Sequence, residues 1–393
     1  MKKTVFAIVG LLALLVAGGE AVVRQVLGVR PGALVRDDTL STSLAKFVEF
    51  DPVLGLRYKP NVDVLIDAPS RDFSILFKTN EIGLRDRPMG THLRQELKFL
   101  FLGDEFTEGW GADIDETAVV GAQRLVNEKT ALQPPVRFVI GAKSGYGAAQ
   151  NLLMARQIVE QMPIRGIVFV YSALMPHADH RFLARAKIED GLAVGVDPAA
   201  GYALELPHVD DGPRRERSPL AGIAARSALA RWLAERWTAW RWQRERPAGD
   251  ARFDRLAGMR GDTSQLAASH APTLTHVKAV AALARARDIP FMLIHLPLAP
   301  QVAGDEWTLG RAFFGLPAAK QATPDLALVD AFCKTENLRC LHAHEVLGAA
   351  ADAPDGLPLY HPTEIGFNVD GNRVFGAWLG ETIYEWTGQL GLR

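Results

Sequence analysis

The sequence has few cysteines and no surplus of charge of either sign. Only Cys333 and Cys340 occur among 393 residues, and neither lies in a CxxC pattern. This argues against a zinc or iron–sulfur site built on thiolates. The 44 basic and 45 acidic side chains balance, so the basic surplus of a nucleic-acid-binding protein is missing and no nucleic-acid partner is expected. A composition of 48% hydrophobic and 23% charged residues excludes a disordered, collagen-like or disulfide-scaffold protein.

One long apolar segment opens the chain. Two lysines precede residues 4–23, which are apolar except near Gly18, Gly19 and Glu20. Twenty helical residues extend roughly 30 Å, the thickness of a bilayer core, and the lysines favour an N-terminus in the cytoplasm. We therefore predict a single transmembrane anchor at residues 1–23. A signal peptide cleaved near Ala17 is the alternative, and either reading exports residues 24–393.

Export changes the expected oxidation state of the two cysteines. Outside the cytoplasm, a pair seven residues apart can persist as a disulfide. We therefore expect Cys333 and Cys340 to be joined, with two buried thiols as the alternative.

Short apolar runs alternate with helical stretches after residue 95. The runs Lys98–Leu102, Arg137–Ile140, Ile167–Tyr171 and Phe291–Ile294 are typical of strands buried on both faces of a parallel sheet. Helical patterns cover Gln150–Gln161 and Thr273–Arg287. The alternation predicts an α/β domain with a doubly wound, mostly parallel sheet at residues 95–393. We expect a membrane-proximal linker and strand-rich segment at 24–94, and an insertion at about 183–262.

The predicted insertion is rich in tryptophan. Four of the eight tryptophans lie between Arg231 and Trp242. Tryptophan and arginine suit lipid headgroups, but arginines at positions 226, 231, 236, 241 and 246 would spread around every face of a helix. We favour surface or partner packing over lipid contact for this segment.

A glycine-rich block follows the first predicted strand of the domain. Residues 103–111 read Gly-Asp-Glu-Phe-Thr-Glu-Gly-Trp-Gly, which resembles the first block of the SGNH (GDSL-type) hydrolases. Residues 141–150, beginning Gly-Ala-Lys-Ser-Gly-Tyr-Gly, resemble the second block, and 78–85 resemble a segment of membrane-anchored bacterial members. Residues 367–375 resemble the start of the last helix. The resemblance implies a flavodoxin-like three-layer sandwich, located on the periplasmic side of a bacterial inner membrane.

The same blocks lack the residues that catalyse hydrolysis in the family. An active member uses a serine nucleophile, a histidine base and an orienting aspartate. Here Glu105 stands at the serine position, Glu364 at the aspartate position and Gly366 at the histidine position. The oxyanion-hole glycine aligns with Ala142. The resemblance thus implies a pseudoenzyme with a degenerate cleft formed by Asp104, Glu105, Ala142, Gly145, His177 and Glu364, and it implies no cofactor.

Other chemistries remain open alternatives. In a shifted register His361 becomes the base, although Pro358 then occupies the aspartate position. Paired carboxylates can also support glycoside hydrolysis, and Asp104, Glu105 and Glu364 are the candidates. His177, Asp179 and His180 have metal-ligating side chains but fit an ordinary loop better. His342 and His344 alternate along an expected strand and fit a structural role.

The family resemblance also implies a cellular role. Members of this kind act on acyl groups of envelope polysaccharides, as in alginate acetylation. A degenerate copy is expected to bind an envelope glycan or to hold a membrane-protein partner. The alternatives are an active esterase or O-acyltransferase with a non-standard site, and a structural accessory subunit of a membrane complex.

Overall fold

The computed structural model describes residues 2–25, 46–68, 72–90, 96–130, 135–197, 226–244, 256, 259, 263–304, 307–317, 319–353 and 356–392. At residues 2–13, 231, 235, 238, 239, 241–244 and 263 it describes the backbone alone. In chain order, the elements are α1 (Lys2–Gln25), β1 (Val48–Asp51), β2 (Gly55–Tyr58), β3 (Asp63–Asp67), β4 (Ser74–Lys78), β5 (Leu97–Leu102), α2 (Glu105–Glu108), α3 (Ala118–Lys129), β6 (Val136–Ile140), α4 (Ala148–Gln161), β7 (Gly166–Ser172), α5 (Met175–Leu183), β8 (Ala186–Glu189), β9 (Leu192–Val196), α6 (Ala228–Arg244), α7 (Thr263–Arg285), β10 (Phe291–Leu296), α8 (Ala299–Val302), α9 (Thr308–Phe313), α10 (Pro324–Glu336), β11 (Arg339–His342), α11 (His344–Ala351) and α12 (Val369–Gln389).

A five-stranded parallel sheet forms the centre of the chain. Its strand order is β11-β10-β7-β5-β6, and every neighbouring pair is parallel. This is the doubly wound order of flavodoxin-like folds, in which sites form beyond the carboxyl ends of the strands. The four apolar runs predicted as strands all lie within strands of this sheet. Continuous apolar runs suit these strands because helices cover the sheet on both faces. The predicted α/β architecture with a parallel sheet is confirmed.

Helices cover both faces of the sheet. On one face, α3 and α12 pack against each other and against the aromatic side chains of β5 and β6. Two glycines of α12 allow this close approach: a Cβ at Gly376 would lie 2.8 Å from the carbonyl oxygen of Ala118, and one at Gly380 would lie 3.2 Å from that of Ala122. The helices α4, α7 and α10 contribute to the core on the other face. Two layers of helices thus enclose the sheet.

In the described part of the chain, three antiparallel hairpins lie outside the central sheet. β1–β2 and β3–β4 precede it, and β8–β9 lies between β7 and β10, within the predicted insertion. Phe47, Tyr58 and Phe77 of the first two hairpins pack with Trp110, which follows α2. This aromatic cluster holds the N-terminal hairpins against the turn that follows β5.

One disulfide and three helices test local predictions made from the sequence. Cys333 on α10 and Cys340 on β11 form a disulfide, with Cα atoms 6.2 Å apart. α7 begins ten residues before the predicted Thr273 and contains Pro272. The expected loop at 177–180 belongs to α5, whose first turn holds Pro176, a position that proline tolerates. His344 begins helix α11 rather than continuing a strand.

The predicted transmembrane anchor coincides with α1. None of the helices in the described part of the chain has the length and apolar character needed to cross a bilayer. That part of the predicted fold class is therefore not supported. The side chains of residues 2–13, which make up half of the predicted anchor, lie outside the described residues.

Candidate functional site

The turn between β5 and α2 places residue 105 at the carboxyl edge of the sheet. Asp104 caps α2 because its carboxylate accepts a hydrogen bond from the N–H of Phe106 at 3.1 Å. The Ser172 hydroxyl, at the end of β7, donates to the same carboxylate. Gly109 ends the helix with φ +76°, a left-handed conformation that favours glycine. The strand, turn and short helix therefore present residue 105 at the position that the family resemblance implies for a nucleophile.

Glu105 is buried at this position, with only 4% of its surface exposed. Burial, followed by the charge of Glu105, raises the pKa of Asp104 well above its ordinary value. Lys143 is a cation that acts on Glu105, and burial lowers its pKa to about 8 although Glu108 and Glu105 oppose the shift. The Glu105 side chain thus lies close to a second acid and a lysine.

A buried charge cluster, consisting of Arg85, Glu108 and Lys143, lies behind this position. Glu108 is fully buried, and its carboxylate accepts hydrogen bonds from the Tyr58 hydroxyl at 2.8 Å and from the N–H of Ser144. Arg85 Nε lies 4.0 Å from Glu108 Oε1. Burial raises the pKa of Glu108 and lowers that of Arg85. Opposite charges and hydrogen bonds hold these groups together where isolated charges would be very costly.

Arg85 and Lys143 also fix the surrounding loops. The Arg85 guanidinium donates to the carbonyl oxygen of Glu108 at 2.8 Å and to that of Ala112. The Lys143 ammonium lies 4.6 Å from the centre of the Tyr58 ring and donates to the Ser144 carbonyl at 3.1 Å. Sequence reasoning noted the blocks that contain these residues but gave the residues no role. Their signal was the presence of ionisable side chains in segments that are otherwise glycine-rich or apolar.

The loop at 360–367 carries the residues of the last family block. His361 N–H donates to the Gly366 carbonyl at 3.1 Å, and Tyr360 pairs with Phe367 as an antiparallel bridge. Asp72, just before β4, accepts from Thr363 N–H and hydroxyl at 2.7 Å and from Glu364 N–H at 3.0 Å. An N-terminal aspartate therefore fixes this loop, a contact that sequence reasoning missed.

His361 is buried within the same loop. Its ring lies 5.0 Å from the Phe73 ring and against Gly111, where an added Cβ would come within 2.4 Å of Nε2. Among the described residues, Nε2 has no hydrogen-bond partner. Burial lowers the pKa of His361, which favours a neutral imidazole. By contrast, a Cβ on Gly366 would meet only the Trp110 carbonyl oxygen, at 3.5 Å.

An open pocket of about 380 Å³ borders His361. Its lining includes Phe73 and four carboxylates, and the described residues that line it include no lysine or arginine. The acids are Asp72, Asp113, Glu116 and Asp370. Of these, Asp113 accepts from the N–H of Leu76, and Asp370 pairs with Arg373 at 2.7 Å. Acidic, apolar and aromatic groups together suit a hydroxylated or amino-bearing ligand.

The predicted cleft residues lie elsewhere. None of Asp104, Glu105, Ala142, Gly145, His177 and Glu364 lines this pocket. Ala142 and Gly145 flank Lys143 on the loop after β6, and His177 is half-buried on α5. His361, weighed only as a backup base, is the residue from the predicted site that borders the pocket.

The structure gives Asp179, a candidate metal ligand, a different role. Its carboxylate accepts from the N–H groups of Ala148 and Ala149 at 3.0 and 2.9 Å, so it caps the start of α4. Within the described part of the chain, no group of three or more histidine, cysteine or acidic residues could hold a metal ion.

Comparisons with known proteins return structures only. No protein-family model matches the sequence, and none of the curated proteins matches. A lipolytic protein of the G-D-S-L family from Desulfitobacterium hafniense DCB-2 has 12% identity and a TM-score of 0.34, over 73% of this chain and 99% of that chain. The psychrotrophic esterase EstA from Pseudoalteromonas sp. has 10% identity and a TM-score of 0.35, over 75% and 100%. The acetyl xylan esterase AlAXEase has 11% identity and a TM-score of 0.36, over 73% and 100%. Scores this low say nothing about the residues or activity of this chain; the structural neighbours are GDSL-type esterases and lipolytic proteins, the superfamily that its sequence blocks resemble.

Proposed function

We propose that this chain is a non-hydrolytic SGNH-like domain that binds a glycan outside the cytoplasm. The observation that carries the proposal is the state of the nucleophile position, where Glu105 is buried beside Asp104 and Lys143. A carboxylate held in this way cannot replace a serine hydroxyl in acyl transfer. The disulfide between Cys333 and Cys340 supports an exported location, because disulfides persist in oxidising compartments.

The pocket beside His361 supports the choice of ligand. Carboxylates accept hydrogen bonds from sugar hydroxyl or ammonium groups, and the half-exposed Phe73 offers an apolar face for a sugar ring. The four lining acids disfavour an anionic polymer. The proposed ligand is therefore a neutral or amino-bearing glycan.

A binding experiment tests the choice of ligand. Calorimetric titration should show binding of oligosaccharides of glucosamine or N-acetylglucosamine, and no binding of an oligouronate. Glu116→Gln should weaken binding about tenfold, which corresponds to about 1.4 kcal/mol, because it removes a charged acceptor from the pocket. Glu128→Gln, on the exposed surface of α3 outside the pocket, is the matched control. Equal affinity for all three sugars, or an undiminished affinity in Glu116→Gln, would contradict the proposal.

A kinetic experiment tests the absence of hydrolysis. Loss of one member of a catalytic triad lowers the rate by about 10⁴–10⁶, and further losses add little. We therefore expect no cleavage of p-nitrophenyl acetate or acetylated sugars by the wild type or by Glu105→Ser. Glu105→Ser with Gly366→His is expected to show measurable cleavage, since a side chain at 366 has space. Glu105→Ala with Gly366→His controls for the new histidine.

Two outcomes would contradict this expectation. Wild-type turnover that disappears in Glu105→Ala or His361→Ala would show an active enzyme with a non-standard site. Activity in Glu105→Ser alone would show that a base is already in place. Adding Lys143→Met or His361→Ala to that variant would then identify the base.

A further inference from the structure

The C-terminal part of α1 is bound to the start of α6. The Glu20 carboxylate accepts hydrogen bonds from the Ser227 hydroxyl at 2.7 Å and from the N–H groups of Ala228 and Leu229, both at 2.9 Å. These bonds lower the pKa of Glu20 to about 2. Gly19 lies against the Leu229 side chain, where an added Cβ would come within 3.0 Å of Leu229 Cδ2. The N-terminal helix and the tryptophan-rich helix therefore form one structural unit.

Both helices of this unit expose large apolar side chains. On α1, Leu14, Leu15, Val16 and Val22 are 72%, 64%, 57% and 53% exposed. On α6, Leu233, Trp237 and Trp240 are 50%, 61% and 43% exposed. These seven residues form what we call the α1–α6 surface. So many exposed apolar side chains on two packed helices indicate an interaction surface rather than ordinary solvent exposure.

The chemistry of the two helices favours lipid as the occupant. In the sequence, the arginines of α6 are spaced around every face of a helix, between its apolar residues. α1 supplies aliphatic side chains, while α6 supplies tryptophans whose amphipathic rings suit the headgroup level of a bilayer. Arg236, which lies over the Trp232 ring at 4.5 Å, is exposed on the same unit, and so is Arg24, which pairs with Glu20 at 2.5 Å. Exposed cations such as Arg236 are attracted to anionic headgroups.

We propose that the α1–α6 surface contacts the headgroup and upper acyl region of an anionic phospholipid bilayer, with Trp237 and Trp240 at the interface. α6 also packs on α9, directly after Trp307, whose indole N–H donates to the His361 carbonyl at 3.0 Å. A bilayer held by α6 thus has a fixed orientation relative to the loop that borders the pocket. This proposal is independent of the glycan-binding function.

Quenching by brominated lipid tests the proposal with the full chain. Vesicles of phosphatidylglycerol and phosphatidylcholine with brominated acyl chains should quench the tryptophan fluorescence of the wild type. Trp237→Phe combined with Trp240→Phe should remove most of this quenching, whereas Trp378→Phe, on α12, should leave it unchanged. Glu20→Gln should also reduce the quenching. The change removes the charged acceptor that binds the start of α6, so α6 and its tryptophans are held less firmly beside α1, even where α1 keeps the chain on the vesicles. Vesicles of phosphatidylcholine alone should quench less.

Two results would overturn the proposal. The first is equal quenching in the wild type and the Trp237→Phe, Trp240→Phe variant. The second is free access of aqueous iodide to these tryptophans on vesicles, together with their protection in native membranes. That second pattern would assign the surface to a protein partner rather than to lipid.

Discussion

The Arg85→Met variant is expected to lose about 3–5 kcal/mol of unfolding free energy, the usual cost of breaking a buried ion pair from one side. Arg85 is 1% exposed. Its guanidinium lies 4.0 Å from Glu108 Oε1 and donates hydrogen bonds to the carbonyl oxygens of Glu108 and Ala112. Methionine keeps much of the volume but leaves Glu108 with less compensation and both carbonyls without this donor. Urea unfolding followed by circular dichroism at neutral pH measures the loss.

Arg57→Met is the matched control for this change. Arg57 pairs with Glu49 at 2.8 Å on the surface, where its side chain is 45% exposed. Such pairs contribute about 0–1 kcal/mol. The combined variant Arg85→Met with Glu108→Leu should recover part of the loss, because the carboxylate that Arg85 compensates is then also absent. A loss in Arg85→Met no larger than in Arg57→Met would show that the buried charge cluster does not stabilise the fold as described.

Lys143 is expected to make stability rise with pH in the alkaline range. Its pKa falls from 10.5 to about 8 on folding, chiefly through burial. Below about pH 8 both the folded and the unfolded chain hold the proton. In this range the cost of burying the protonated amine lowers the unfolding free energy by its full amount. Between about pH 8 and 10.5 the unfolded chain holds more protons, so unfolding takes up a proton and the unfolding free energy increases with pH. At about 1.4 kcal/mol per pKa unit, the total contribution is about 3 kcal/mol.

The difference between the wild type and Lys143→Met isolates this contribution. Tyr58 has a pKa raised well above 10 and changes stability in the opposite direction at high pH, so the wild-type curve alone is ambiguous. Urea unfolding at steps from pH 7 to 10 should show the wild type gaining about 2–3 kcal/mol relative to Lys143→Met. The exposed Lys278→Met serves as the control. A constant difference across the range would contradict a depressed pKa at Lys143.

The sheet was predictable because its signal is local. A run such as Lys98–Leu102 is apolar at consecutive positions, and only a strand covered on both faces buries it. The glycine turn after β5 and the start of α12 were also readable, since each is a short block with its own capping residue. His344 was misread as a strand position because its alternation with His342 was taken as a strand pattern, whereas it begins α11.

The environment of residue 105 was only half predictable. The sequence places two acids in succession, and the pKa of Asp104 is raised by burial and then by the charge of Glu105. Lys143, on the loop after the neighbouring strand β6, acts electrostatically on Glu105. Strand order, which no local pattern encodes, brings that lysine to Glu105.

By itself, the sequence determined the parallel α/β sheet and the candidate disulfide cysteines, because each depends on a residue type or a local period. Tertiary structure alone decided that Asp72 holds the 360–367 loop from 291 positions away. It also decided that Glu20 joins α1 to α6 across 208 positions. Contacts between distant segments depend on how helices and hairpins pack around the sheet, and packing is a property of the whole chain that no short stretch of sequence contains.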